Sequence, residues 1–144
     1  MTTTKRMHSV HIQAPVPLVF KYIEDPQLTY PKMMGTQIID VEPKPEGIGT
    51  TWTSVAPPMM GIYLSWHFIR EDQVVDARIV DKSSTGVHFI WTLHPAHEDT
   101  TELTLEMDVS APVLLDKILM VTIGRHADVD MAKELTAIKN AIES

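Results

Sequence analysis

The sequence of 144 residues contains no cysteine, which excludes disulfides, thiolate nucleophiles and thiolate metal ligands together. It also lacks a long apolar run. The longest, ILMVTI at 118–123, is far too short to cross a bilayer, and the start MTTTKRMHSVHIQ has no apolar segment after its basic pair. These absences predict a cytoplasmic protein without a membrane span.

Positive charge is scarce. The 12 Lys and Arg residues stand against 19 Asp and Glu, the formal charge is −7, and the largest basic cluster is Lys5 with Arg6. Because nucleic-acid binding requires a basic surface, we expect no nucleic-acid partner. The apolar share of 44% and the length are those of one globular domain covering residues 1–144.

Alternation of apolar and polar positions predicts antiparallel strands along most of the chain. A first strand at 7–13 precedes two short helices, one beginning after Pro15 and one at about 26–34, which Asp25-Pro26 separates. The further predicted strands are 36–43, 50–56, 61–71, 73–82, 86–94 and 101–109. Turns at PKPEGIG, PPMM and Glu71-Asp72 separate the first four of these strands.

Each predicted strand has one more apolar face, which we expect to point into the core. The inward positions are Ile39, Val41, Ile62, Leu64, Trp66, Phe68, Val75, Ala77, Ile79, Val87, Phe89, Trp91, Leu93, Leu103, Leu105, Met107 and Val109.

A long helical segment is predicted from Pro112 to about Ile142. Its first half, VLLDKILMVTIG, is apolar around most of its circumference and must be covered on more than one side. Its second half predicts one buried stripe, with Glu134 turned away from it. The stripe consists of Ala127, Met131, Leu135, Ile138 and Ile142.

This order of elements resembles the START-like (SRPBCC) superfamily, which includes polyketide cyclases and dehydratases, plant pathogenesis-related allergens and lipid-transfer domains. The segments that carry the resemblance are HIQAPVPLVFKYIEDP, EGIGTTW, WTLHPAHEDTTELTLEM and AKELTAIKNAIES. The resemblance covers essentially the whole chain. It implies an α+β helix-grip fold, in which a curved antiparallel seven-stranded sheet wraps around a long C-terminal helix and leaves an apolar cavity between them.

The resemblance implies binding of a hydrophobic small molecule, either a lipid or a polyketide-like compound, in that cavity. Ligand pockets are mostly apolar with few polar groups, which fits the inward aromatic and methionine residues. The same residues could instead make a solid core. The expected ligand-binding residues are Met33, Met59, Met60, Trp66, Phe89, Trp91, Met107, Leu119, Met120 and Ile123.

Two methionine pairs lie in turn-like sequences, PKMMG at 31–35 and PPMMG at 57–61. The order of strands puts both at the same end of the predicted sheet, where the resemblance implies a cavity entrance. Because methionine is unbranched and polarisable, Met33, Met34, Met59 and Met60 could form an adaptable apolar entrance. They could equally plug the open end of a small core.

An enzyme on the same scaffold is the first alternative function. The resembling cyclases use acid and base groups that project into the cavity, which makes His67, His88 and Tyr63 the catalytic candidates. Both histidines alternate with the apolar residues, so they point outward unless a strand contains a bulge. Arg70 and Arg78 could bind an acidic headgroup or ketone oxygens, although arginines on strands are usually exposed.

Neither a metal nor a cofactor is expected. His94 and His97 form the densest histidine cluster, but HPAHED has the composition of a hairpin loop, and a metal site needs convergent ligands. EGIGT lacks the Lys-Ser/Thr of a phosphate-binding loop. A second alternative function is a cavity-less interaction module with the methionine loops as its partner surface. The sequence does not predict an oligomeric state.

Overall fold

The computed structural model of the protein describes residues 4–34, 36–56, 65–84, 86–109 and 127–144. These residues form strands β1 (Thr4–Ile12), β2 (Gln37–Glu42), β3 (Thr51–Val55), β4 (Ser65–Val74), β5 (Arg78–Ser83), β6 (Val87–Pro95) and β7 (Thr101–Val109). They also form helices α1 (Val16–Ile23), α2 (Pro26–Met34) and α3 (Ala127–Glu143).

The strands form one seven-stranded sheet in the order β1-β7-β6-β5-β4-β3-β2, and every neighbouring pair is antiparallel. Strands from β2 to β7 are therefore neighbours in space as in sequence, and β1 completes the order beside β7. Helix α3 packs against β1 and α2. This arrangement confirms the predicted α+β helix-grip fold with its seven-stranded antiparallel sheet and two short helices after the first strand.

Proline fixes the start of α1. Pro15 precedes the helix with an extended backbone, and Pro17 lies in its first turn, where a missing N–H leaves no helical hydrogen bond unmade. Val19, Phe20 and Ile23 recur at helical spacing and are all buried. This helix therefore packs one apolar face into the core.

Thr29 joins α1 to α2. Its buried hydroxyl lies 3.1 Å from the Tyr22 and Ile23 carbonyl oxygens and 3.0 Å from that of Asp25. These carbonyls lie at the end of α1 and in the corner before α2, where fewer helical N–H groups are available as partners. Asp25 in turn accepts a hydrogen bond from the Gln27 N–H at 2.9 Å. The break predicted at Asp25-Pro26 is therefore a fixed corner between two helices.

The predicted inward position of Ile39 is wrong. Asp40 has a left-handed backbone with φ 54°, and the β2–β3 register shifts between Ile39 and Glu42. Before this bulge Ile38 is the buried residue and Ile39 is exposed, whereas after it Val41 packs on the core. An extra residue thus exchanges the two faces within one short strand.

The hairpin predicted at Glu71-Asp72 lies further along the chain, between Val74 and Arg78, with Asp76 in the left-handed region at φ 60°. The register of β4 and β5 shifts between Arg70 and Asp72, so the predicted turn is a bulge. Val75 was expected to be inward but is 72% exposed, and Ala77 is only half-buried. Ile79 is buried as predicted.

The stripe predicted on the C-terminal helix is confirmed for Met131, Leu135 and Ile138, which are buried on α3. Glu134 was expected to face solvent and is instead buried. The first half of the predicted helix, at 112–126, lies outside the described residues.

The last turn of α3 is tied to the segment between β1 and α1. The Glu143 carboxylate accepts a hydrogen bond from the Gln13 backbone N–H at 2.8 Å and pairs with Lys139. Lys139 also donates to the His11 carbonyl at 2.9 Å. These polar contacts hold the end of the helix against the sheet edge.

Candidate functional site

The inner face of the sheet, which carries Phe68 and Leu105 and faces the helices, is lined by alternate residues of each strand. Residues opposite one another in the register share a face, so Ser54 lies beside Trp66, and Phe89 beside Met107. All four are buried. The inner face is therefore an apolar wall that contains large aromatic rings and small hydroxyl side chains.

Tyr30 of α2 covers the middle of this wall. Its ring centroid lies 5.1 Å from that of Phe68, 5.6 Å from Trp52 and 5.7 Å from Phe89. It also meets Trp91 edge-on at 6.4 Å. Part of the volume expected to be a cavity is thus filled by a side chain of the protein.

The Tyr30 hydroxyl donates a hydrogen bond of 2.5 Å to Asp81 Oδ2, which lies on the inner face of β5. Arg70 of β4 donates to the same carboxylate through Nε at 2.8 Å and through Nη2 at 3.2 Å. The Arg70 and Asp81 side chains are 2% and 0% exposed. The protein therefore buries a bidentate ion pair, completed by a phenol, inside its core.

The electrostatics of this cluster follow from its burial. Loss of water raises the pKa of the Asp81 carboxyl, and Arg70 and Tyr30 offset only part of that effect. Burial likewise raises the pKa of Tyr30 well above its ordinary value, and the nearby Asp81 raises it further. Burial alone would lower the pKa of Arg70, but the hydrogen bonds and charge of Asp81 outweigh it and raise that pKa.

Arg70 also connects the core to α1. Its Nη1 donates to the Glu24 carbonyl at 2.8 Å and to Gln73 Oε1 at 3.0 Å, and the guanidinium lies 5.4 Å from the Trp52 ring centroid. The sequence interpretation of Arg70 as solvent-facing is wrong. The alternation that put Trp66 and Phe68 inward extends to Arg70, and that signal could have found it.

Two predicted ligand-binding residues lie at the rim end of the sheet, defined as the end where β3 and β7 finish and β4 and β6 begin. Trp66 is 8% exposed and Met107 is 6% exposed, whereas Trp91 and Leu105 further along the sheet are 0% exposed. Thr36 and Ser54 are buried at this end, with the Ser54 hydroxyl donating to Thr36 Oγ1 at 2.7 Å.

Phe89 and Trp91, also predicted to line the cavity, lie on the inner face beneath Tyr30. The structure thus brings together Trp66, Phe89, Trp91 and Met107 on one wall. The side chains of Met33 and Met34 are not described. Other predicted site residues lie outside the described residues: Met59, Met60, Tyr63, Leu119, Met120 and Ile123.

The histidine candidates lie on the opposite, outer face of the sheet. His67 is exposed, and its Nδ1 is 3.2 Å from the Thr53 hydroxyl. His88 Nε2 is 3.0 Å from Glu71 Oε1, with both side chains more than a third exposed. Among the histidines of the described strands, His8 shares the inner face, because it lies opposite Leu105.

A groove of about 520 Å³ crosses the outer face over β2 to β5. His67 and Lys82 lie along it, with Asp40 and Glu42 at one side. Because opposite charges and hydroxyl groups are mixed along its length, the groove has no single electrostatic character. Arg78, the other arginine considered from the sequence, is half-exposed beside the hairpin and pairs with Asp72 at 3.4 Å.

Neither a metal centre nor a membrane span is present within the described parts of the chain. No group of three or more histidine, aspartate or glutamate side chains in those parts could hold a metal ion. No helix among them is long and apolar enough to cross a membrane. His94 and His97 are exposed at the β6–β7 hairpin, where the Ala96 N–H donates to the Thr100 carbonyl.

Comparison of the sequence with family models gives no match, and comparison with curated proteins gives none either. Solved structures do resemble the chain. The TTHA0849 protein of Thermus thermophilus is similar with a TM-score of 0.68 at 19% identity, over 96% of this chain and 97% of that one.

Two further similar structures have descriptive names. The Zhui aromatase/cyclase of a Streptomyces species has a TM-score of 0.66 at 17% identity, over 99% of this chain and 94% of its own. The Aha1 dimer of Colwellia psychrerythraea has a TM-score of 0.64 at 12% identity, over 97% of this chain and 96% of its own. At these identities the likeness shows the fold alone, which is the α+β helix-grip fold described above.

Proposed function

We propose that the protein binds a hydrophobic small molecule, a lipid or a polyketide-like compound, between the sheet and the C-terminal helical segment. The observation that carries this proposal is that Tyr30 covers the middle of the inner face but not its rim end. Tyr30 packs over Phe89 and Trp91, whereas at the rim end Trp66 and Met107 keep a small exposed fraction. Ser54, a small side chain hydrogen-bonded to Thr36, lies beside Trp66. A bound ligand would occupy the rim end.

The shared fold adds support at the level of architecture. One similar structure is named an aromatase/cyclase. Because one fold supports many functions, this likeness cannot select the ligand. The apolar side chains of Trp66 and Met107 support the proposal independently of the fold, since ligand pockets are largely apolar with few polar groups.

The enzymatic alternative has less support from the described residues. His67 and His88, the proposed general bases, lie on the outer face and contact Thr53 and Glu71. On the inner face, Asp81 and Tyr30 are already engaged by their mutual hydrogen bond and by Arg70. A base for a ligand in the interior would therefore have to break this cluster.

Titration with the neutral fluorescent probe N-phenylnaphthylamine tests the proposal. Wild-type protein should bind it with one site and a blue-shifted emission. Met107→Trp places a larger ring on the inner face at the rim end and should weaken binding at least about tenfold, which corresponds to about 1.4 kcal/mol. Glu102→Trp places the same ring on the outer face of the same strand and should leave binding unchanged.

Circular dichroism and thermal melting of both variants show whether each remains folded. Equal probe affinity in the wild type and in a folded Met107→Trp variant would contradict binding at the rim end. Native mass spectrometry of the wild-type protein with the probe provides the stoichiometry independently of any variant, and absence of a one-to-one complex would contradict binding as such.

A further inference from the structure

The Trp52 indole N–H is a buried donor without an acceptor. Trp52 lies on the inner face of β3 and is 1% exposed, yet its Nε1 has no hydrogen-bond partner in the described structure. Buried indole N–H groups ordinarily find a partner, because the alternative is a polar group withdrawn from water without compensation. This exception calls for a physical reason.

The ring of Trp52 is held in place, so it cannot turn to find an acceptor. It stacks on Phe68 at 5.5 Å with an interplanar angle of 7°, and the Arg70 guanidinium lies 5.4 Å from its centroid. The polar side chains around it are engaged with one another, since Tyr30 and Arg70 both donate to Asp81. The Trp52 N–H therefore has no acceptor among the described residues, whereas the polar groups of Tyr30 and Arg70 are hydrogen-bonded.

A second donor lies on the same part of the wall. Ser54 alternates with Trp52 along β3, and its hydroxyl donates to Thr36 Oγ1 at 2.7 Å. Thr36 thus serves as an acceptor in this contact. Within the described part of the chain, the Trp52 N–H is the donor that remains without a partner, which fits a ligand that brings an acceptor oxygen.

The charge of the surroundings restricts that oxygen. The cation beside Trp52, Arg70, is already neutralised by the Asp81 carboxylate at 2.8 Å. A ligand carboxylate would enter beside this buried anion without a counter-ion of its own, which is costly. A neutral ketone or ester carbonyl accepts a hydrogen bond and brings no charge.

We propose that Trp52 is a specificity-determining residue whose indole N–H binds a neutral carbonyl oxygen of the hydrophobic ligand. This inference rests on the proposed function and narrows it to ketones and esters, in preference to hydrocarbons and free acids. The N–H is satisfied only when such a ligand is bound. Discrimination of this kind is strong, because an analogue without the oxygen leaves a buried donor unpaired.

The test compares tetralone with tetralin, which differ by one carbonyl oxygen, in displacement of N-phenylnaphthylamine. After correction for their partition between octanol and water, wild-type protein should prefer tetralone by about 5- to 100-fold. Trp52→Phe keeps an aromatic ring and removes the N–H, so it should abolish the preference while tetralin affinity stays within about twofold.

Glu102→Trp is the control, because it changes a side chain on the outer face of β7, away from Trp52 and the inner face. Its preference for tetralone should equal that of the wild type. Naphthoic acid extends the series and should compete less well than tetralone. A preference that persists in Trp52→Phe, or tightest binding of the acid, would overturn the assignment.

Nuclear magnetic resonance gives a readout that needs no Trp52 variant. The chain has 3 tryptophans, and variants Trp66→Phe and Trp91→Phe assign the Trp52 indole signal by elimination. Tetralone should move that signal downfield and tetralin should not. If both probes bind and the signal does not move, this inference fails alone. If neither probe displaces the reporter from the wild type, the proposed function fails and this inference fails with it.

Discussion

The buried pair of Arg70 and Asp81 allows a sharp test of how the core is stabilised. Both side chains are almost completely buried, and the carboxylate accepts hydrogen bonds from two guanidinium nitrogens and from Tyr30. Because loss of water raises the pKa of Asp81, much of the attraction between the two charges offsets a desolvation cost. The pair should therefore matter most when only one partner is removed.

Arg70→Met leaves a buried carboxylate, and Asp81→Leu leaves a buried guanidinium. Each single change should lower the free energy of unfolding by about 3 to 5 kcal/mol, because a buried charge loses its counter-ion. The double variant Arg70→Met/Asp81→Leu removes both charges and should cost less than either single change. The interaction energy from this double-mutant cycle should then be about 3 kcal/mol or more.

Urea denaturation followed by circular dichroism measures these values. The exposed pair of Arg78 and Asp72 is a matched control, since the two side chains lie at the next hairpin and are 49% and 40% exposed at 3.4 Å. Asp72→Ala should change stability by at most about 1 kcal/mol, as expected of a surface pair. If the double variant loses as much free energy of unfolding as the two single variants lose together, the desolvation reasoning is refuted.

Two further predictions concern the β2–β3 hairpin and the end of α3. Gly47 has φ 83°, and an added Cβ would collide with the Gln73 side-chain amide, which would have to move and lose its 3.0 Å hydrogen bond from Arg70. Gly47→Ala should therefore cost more than Gly49→Ala, where φ is 91° but the nearest atom is 3.4 Å away. Backbone strain alone should cost about 1 to 2 kcal/mol in Gly49→Ala, and equal melting temperatures would contradict the clash. The Gln13 N–H and Lys139 lower the pKa of Glu143. The charged carboxylate therefore stabilises the folded protein above the ordinary pKa of glutamate, and this stabilisation is lost as the pH falls through the lower pKa of the folded state. The wild type should therefore be more stable than Glu143→Gln at pH ~7 and not at pH ~2, and a difference that persists in acid would show that charge is not the cause.

The sheet could be predicted from the sequence because its signals are local. β6 and β7 are close to their predicted bounds, since both have uninterrupted alternation between turn residues, and α1 begins where Pro15 and Pro17 require. Their inward residues Trp91 and Leu105 are completely buried. Regular alternation is sufficient wherever each strand pairs without an insertion.

The errors arise where a strand contains a bulge. In β2 the left-handed Asp40 moves Ile38 inward in place of Ile39, and in β4 the irregularity after Arg70 carries the strand through the predicted turn to Val74. A bulge adds one residue and reverses the alternation beyond it. Local composition does not show it, because Glu71-Asp72 has the composition of a turn.

The candidate site was harder to predict because its polar members come from separate elements. The strand pattern could have predicted that Arg70 points inward. Nothing near Asp81 in the sequence, however, marks that residue as the partner of Arg70. The two meet through the pairing of β4 with β5, where Arg70 lies directly opposite Asp81. A charge on an inward position therefore predicts a partner on a neighbouring strand, which only the register can identify.

Tyr30 determines where a ligand could fit, and its role depends wholly on tertiary structure. It lies on a helix that contains Pro31, and its ring meets four aromatic residues of the sheet while its hydroxyl reaches Asp81. Because Phe89 and Trp91 are already covered by this ring, a ligand cannot contact them without displacing Tyr30 and leaving the Asp81 carboxylate one donor short. The rim end carries no such penalty, since Trp66 keeps a small exposed fraction there beside Ser54. If a ligand binds as proposed, the same aromatic cluster that stabilises the core therefore confines it to the rim end of the sheet.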